Sequence, residues 1–219
     1  MKATEIDDKE LQKKENYIRF INATRELIVE NGLENLSIRK IAEKSGLHNS
    51  TIYLYFEDLD QLIMLASMKF FREYSHSLEM YSKKAASATH NFLAIWELFV
   101  DTIMANPFIF YNFFFGKRSD NLEELMRMYY DIFPEERDQF SREIEAMYFG
   151  RNIMERSLNI LKGLLDETNR ITSENITMIN EIIVSYCKYK LMEKCQTPSL
   201  DSTKLKEDIL NAISYVTGI

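Results

Sequence analysis

The chain is poor in everything that interrupts a helix. Six glycines and three prolines serve 219 residues, and no stretch alternates apolar and polar side chains long enough to read as a strand. Cysteine is nearly absent. Cys187 and Cys195 are the only two, which excludes a disulfide scaffold and leaves two thiols expected to be buried or idle. No apolar run reaches the roughly 20 residues a membrane span needs; the longest, from Pro107 to Phe115, is broken by Asn112. The opening residues MKATEIDDKELQKKE hold no apolar core of the signal-peptide kind. A soluble, cytoplasmic protein with no membrane contact is expected, and the sequons at Asn49 and Asn175 read as chance. Catalytic signatures are missing too: there is no HExxH, glycine-rich phosphate loop, GxSxG or Cys/His zinc spacing. Glu73-x-x-His76 has the spacing of half a di-iron carboxylate site without its second copy. Neither an enzyme nor a resident metal or cofactor is expected.

What the chain does have is helical periodicity. Tyr17, Phe20, Ile21, Thr24, Leu27 and Ile28 keep one face of a helix that closes at Asn31-Gly32. Residues 1–15 are polar and expected to be disordered or frayed. Asp58, with Gln61 three residues on, opens a long helix running to about Lys83. Phe92, Ile95, Trp96, Phe99, Val100 and Ile103 make the next stripe, stopped by Asn106-Pro107. A short aromatic segment follows to Phe115, then Leu122 to Phe133, then Phe140 to Leu165 with Gly150 and Gly163 as weak points. Two final helices span 173–194 and 202–217. The expected fold is all-α, with an N-terminal domain over residues 1–60 and a larger helical domain over 61–219.

The most informative stretch is SIRKIAEKSGLHNSTIYLYF, Ser37 to Phe56. Ile38, Ile41 and Ala42 put apolar atoms on one face of a short helix, and Ser45-Gly46 ends it, because glycine adopts the left-handed conformation of a sharp turn. Leu47 and Ile52 anchor a second helix, whose polar N-terminal residues can meet base edges in a major groove.

Residues 16–62 resemble the TetR family of transcriptional regulators. The likeness lies in NGLENLSIRKIAEKSGLHNSTIYLYFEDLDQL, through Ser37, Ile41-Ala42, Gly46, Thr51, Tyr53, Phe56 and Leu62 at fixed spacing. The resemblance implies a homodimer that binds double-stranded DNA at a palindrome, most simply as a repressor, and responds to a small apolar or aromatic effector. It implies phosphate contacts for Ser37, Thr51, Tyr53 and Tyr55 and base contacts for His48, Asn49 and Ser50. Arg39 would reach the backbone or a base edge, with Lys44 beside it. The hydroxyl and amide chemistry suits these roles.

Charge runs against the resemblance. The net charge is −7, and residues 1–60 hold nine Lys/Arg against twelve Asp/Glu. Where the family carries Pro-Ser-Lys or a close variant, this chain has Glu57-Asp58-Leu59, and the segment from His48 to Tyr55 contains no Lys or Arg. Fewer cations near phosphate imply modest affinity. A TetR-like adaptor working through a protein partner, with weak or no DNA binding, is the alternative.

In the remainder, Trp96, Phe99, Phe110, Phe113, Phe114, Tyr129 and Tyr148 could line an effector cavity or simply form a core. The helix over 173–194 has two apolar stripes, one through Ile179, Ile183 and Tyr186 and another through Met178, Ile182, Tyr189 and Met192. Two stripes imply two partners. Ile179, Ile183, Tyr186, Ile209 and Ile213 are the expected dimer contacts.

Overall fold

The computed structural model describes residues 2–82, 87–165 and 167–219, and every regular element among them is helical. The α-helices in chain order are α1 (Lys2–Asn31), α2 (Ile38–Ser45), α3 (Leu59–Ser82), α4 (Ala88–Ala105), α5 (Pro107–Phe115), α6 (Leu122–Ile132), α7 (Arg142–Tyr148), α8 (Ile153–Leu161), α9 (Ile176–Gln196) and α10 (Ser202–Thr217). They form two compact units. The first contains the described residues up to Phe70 together with Leu125–Arg137, and the second contains Phe71–Glu124 and Asp138–Ile219. Residues 61–70 and 125–137, assigned from the sequence to the second domain, therefore cluster with the first.

In the first unit, α1 buries Phe20, Ile21, Thr24, Leu27 and Ile28 along one side. Thr24 tolerates complete burial because its hydroxyl donates to the Phe20 carbonyl at 2.8 Å. Ile41 and Ala42 of α2, Ile52, Phe56 and Leu62 are buried in the same unit. Residues 9–15, expected to be irregular, are exposed but helical. They contain no glycine or proline, and extending an already anchored helix through Lys, Glu, Gln and Leu costs little.

The ends of α2 are built as expected. Ser37 Oγ accepts from the Lys40 N–H at 3.3 Å. Gly46 sits at φ 68° and donates its N–H to the Ala42 and Glu43 carbonyls. Arg19 of α1 adds a side-chain donor to the last carbonyl, Ser45 O, at 2.8 Å. At the start of α3, Asp58 Oδ1 accepts from the Gln61 N–H at 2.9 Å, and Gln61 Oε1 accepts from the Glu57 N–H at 2.9 Å. The long helix expected from Gln61 runs from Leu59 to Ser82, and its expected end at Lys83 lies outside the described residues.

In the second unit, Phe71 is ringed by Phe110, Phe113, Phe114 and Tyr148, with centroids 5.6 to 5.9 Å away. α5 opens on Pro107, the helix position where a missing N–H is harmless. The break expected near Gly150 falls between α7 and α8. A Cβ there would lie 2.8 Å from Arg156 Cγ and 3.0 Å from its backbone nitrogen, so a close backbone approach requires glycine. Among the described residues no single helix is long and apolar enough to cross a membrane. α4 and α5 pass that test only as a pair, and they are bent by 117° at their junction.

Replacing Gly46 by alanine forces a Cβ into the left-handed region and to within 3.1 Å of Arg19 Nη2. The expected cost is about 1–2 kcal/mol of stability, read as a lowered urea midpoint with an unchanged m-value.

Candidate nucleic-acid interface

After Gly46 the chain turns once and enters a 3-10 helix over Asn49–Leu54, within the short helix expected at about residues 48–55. Its start is capped by a side chain: His48 Nδ1 accepts from the Ser50 N–H at 3.4 Å and lies 2.9 Å from Ser50 Oγ. With Nδ1 acting as acceptor, a neutral His48 ring carries its proton on Nε2. The inner side of the element is Ile52, which is fully buried. Its end is clamped by Tyr55 and Phe56, whose rings meet Tyr17 of α1 edge-on at 5.0 and 5.2 Å. Asn16 Nδ2 donates to the Tyr55 hydroxyl oxygen at 2.7 Å, which leaves that hydroxyl's own hydrogen available as a donor.

The sequence-expected DNA contacts fall into two groups. Arg39, Lys44, His48, Asn49, Ser50 and Tyr53 are exposed, whereas Ser37, Thr51 and Tyr55 are half-buried. Ser37 is engaged in capping α2, and its oxygen faces a backbone N–H. Lys44 differs from expectation. Its ammonium lies 2.7 Å from Glu30 and 3.4 Å from Glu26 of α1. The hydrogen bond to Glu30, above all, holds its pKa above the ordinary lysine value. Lys40 donates to the Asn35 carbonyl at 2.8 Å. Arg39 is the exposed cation of α2 for which neither an ion pair nor a side-chain hydrogen bond is found among the described residues.

Sequence reasoning missed Asn16, Arg19, Glu26 and Glu30, because their roles arise only when α1 lies against the motif. It also passed over Leu54, which is 76% exposed within the 3-10 helix. An apolar residue in an otherwise polar reading segment was the available signal.

The expected cavity residues divide. Trp96 and Phe99 border a cavity of about 20 Å³ in the second unit, with Ile95, Met147, Arg156 and Ser157 among its other walls. Phe110, Phe113, Phe114 and Tyr148 are instead fully buried, ring against ring around Phe71. Tyr129 belongs to the first unit, where its hydroxyl donates to Glu136 at 2.5 Å beside the Lys69–Glu136 ion pair. The thiols are unbridged, and burial pushes the Cys187 pKa up to about 12.

The expected dimer contacts need correction. Ile179, Ile183, Ile209 and Ile213 are buried inside their own chain, so only the half-buried Tyr186 of that set has surface to offer. Both stripes on α9 exist, and the expected contacts Ile179 and Ile183 lie on the inner one. The outer one leaves Met178, Ile182 and Tyr189 at 58%, 44% and 47% exposure.

These features can be set beside known proteins. Residues 20–64 match the bacterial regulatory proteins of the tetR family. A "Fatty acid metabolism regulator protein" of Bacillus subtilis (strain 168) is 31% identical over 77 residues, 35% of this chain and 40% of that protein. The chain thus aligns with well under half the length of this relative. Two solved structures share the fold over nearly the whole chain. One is a transcriptional regulator FadR of Bacillus subtilis in complex with stearoyl-CoA (TM-score 0.56, 18% identity, 93% of this chain and 99% of that one). The other is Thermus thermophilus FadR, a transcriptional repressor in complex with lauroyl-CoA (TM-score 0.61, 10% identity, 91% and 94%). With its tetR-type segment at residues 20–64 and this all-α architecture, the chain is similar to the TetR family of transcriptional regulators.

Proposed function

We propose that this chain is a homodimeric, ligand-responsive repressor that reads a palindromic operator with residues 48–55. One observation supports the reading most: His48, Asn49, Ser50 and Tyr53 lie exposed on an element whose opposite side is locked in place by Ile52 and Tyr55. Base readout needs such a rigid backing, because a mobile side chain spends hydrogen-bond energy on ordering itself. Asn49 can offer adenine a paired donor and acceptor, and His48 Nε2–H can donate to guanine N7 or O6. Leu54 has apolar surface suited to a thymine methyl. Thr51, Tyr53 and Tyr55 supply hydroxyl donors for phosphates, with Arg39 as the nearby cation.

A palindrome requires two reading elements about 34–36 Å apart, hence a dimer. The outer face of α9, with Met178, Ile182 and Tyr189, supports docking of a second copy, and Tyr215 of α10 is exposed as well. In this reading α9 and α10 of the two copies form a four-helix bundle. A small apolar effector bound in the second unit would favour one dimer geometry over the other and so lower DNA affinity. The acyl-CoA complexes of two proteins of the same fold make fatty acyl thioesters sensible first effectors to test. A cytoplasmic location accompanies this role.

The engagement of Lys44 by Glu26 and Glu30 favours a second reading, an adaptor that works through a protein partner with little DNA affinity. A gel shift at low salt on the DNA upstream of its own gene separates the two. Specific retardation supports the repressor, and none at micromolar protein supports the adaptor.

If DNA is the target, the double variant Glu26→Gln/Glu30→Gln releases Lys44 toward phosphate. Binding should tighten, and the log–log salt slope should steepen by about one; an unchanged slope would show that Lys44 never reaches DNA. For the dimer, Ile182→Glu should yield monomers by sedimentation and lose operator binding while keeping its helical circular dichroism. A dimer that survives this change would exclude the α9 face.

A further inference from the structure

The cavity between α4, α7 and α8 has an unusual polar make-up. Trp96 and Ser157 are 2% and 3% exposed, and both border the cavity. Neither Trp96 Nε1 nor Ser157 Oγ has a hydrogen-bond partner among the described residues. Beside them Arg156 donates to the Tyr148 carbonyl and places its guanidinium 5.2 to 5.7 Å from the Tyr148, Phe71 and Phe114 rings. The rest of the wall is apolar, including Phe99, Met147 and Ile160, apart from Tyr74, which is hydrogen-bonded to Arg156. The Trp96 indole N–H can only donate, and the Ser157 hydroxyl can do so too. Burying such donors without acceptors is costly, so this edge is built to gain from a group that brings acceptors.

We propose that this cavity is the head-group subsite for an apolar effector ending in a carboxylate, with Trp96 Nε1, Ser157 Oγ and the Arg156 guanidinium as the donors that hold it. The assignment rests on the ligand-responsive reading and names the chemistry of its ligand. At about 20 Å³ the space takes one water-sized group. Anything larger enters only if α8 shifts or the flexible Met147 side chain gives way. Binding therefore selects a conformation other than this one, as a switch requires.

Trp96 is the only tryptophan in the chain, so its emission reports on this wall without labelling. The full chain is titrated with octanoate, 1-octanol and octylamine, following Trp96 fluorescence and, separately, operator affinity. Octanoate should change the emission saturably and bind at least tenfold more tightly than the alcohol or the amine. Ser157→Ala should weaken octanoate about tenfold or more, the usual loss for a hydrogen bond to a charged group, and leave octanol unchanged. The variant's fold is checked by circular dichroism and thermal melting. Equal binding of octanol and octanoate, no emission change with octanoate, or full octanoate affinity in Ser157→Ala each overturns the subsite. Carboxylate-selective binding at Trp96 with unaltered operator affinity supports the subsite and sinks the switch instead.

Discussion

The contact between Tyr55-Phe56 and the Tyr17-Phe20 face of α1 holds the candidate reading segment in place. A six-residue 3-10 helix has little stability of its own. Here its inner residue Ile52 is buried, and its end is held by rings 5.0 to 5.9 Å apart and by the Asn16–Tyr55 hydrogen bond. Arg19 fastens the other end of the motif through the Ser45 carbonyl. α1 is thus the frame on which the turn and the reading segment are both mounted. That explains why so much of its inner face is fully buried.

The same helix governs the electrostatics. Counting charges over residues 1–60 suggests a weak DNA binder, and the pairing pattern explains how the count translates into surface. Lys44 faces two carboxylates of α1, Lys40 serves a backbone carbonyl, and Arg19 serves another. Arg39 is left as the cation of α2 directed to solvent. In the proposed reading, such an arrangement would make DNA contact depend more on hydrogen bonds from His48, Asn49 and the tyrosine hydroxyls than on ion pairs with phosphate.

In the second unit the aromatic residues serve mainly to fill space. Phe71, Phe110, Phe113, Phe114 and Tyr148 are fully buried ring against ring, and Arg156 lies over three of these rings. The small cavity lies at the edge of this cluster, where Trp96 and Ser157 carry polar atoms the core does not satisfy. A tightly filled core beside a small, donor-rich void localises any response to ligand in the wall helices, because the ring cluster resists deformation.

Local features were legible from residue order. The boundaries near Asn31-Gly32, Ser37, Gly46, Asp58, Asn106-Pro107 and Gly150 follow from capping chemistry, from a left-handed turn that favours glycine, or from the missing N–H of proline. All of these act over a few residues. The two stripes on α9 were equally visible, since helical period alone separates them. Which stripe faces inward was decided by tertiary structure, because both are apolar and only the presence of α5, α8 and α10 distinguishes them. Likewise the pairing of Lys44 with Glu26 and Glu30 depends on α1 lying beside it, and Tyr129, a candidate cavity wall, falls in the first unit. Periodicity and capping are properties of neighbouring residues, whereas burial, charge pairing and cavities depend on segments far apart in the chain.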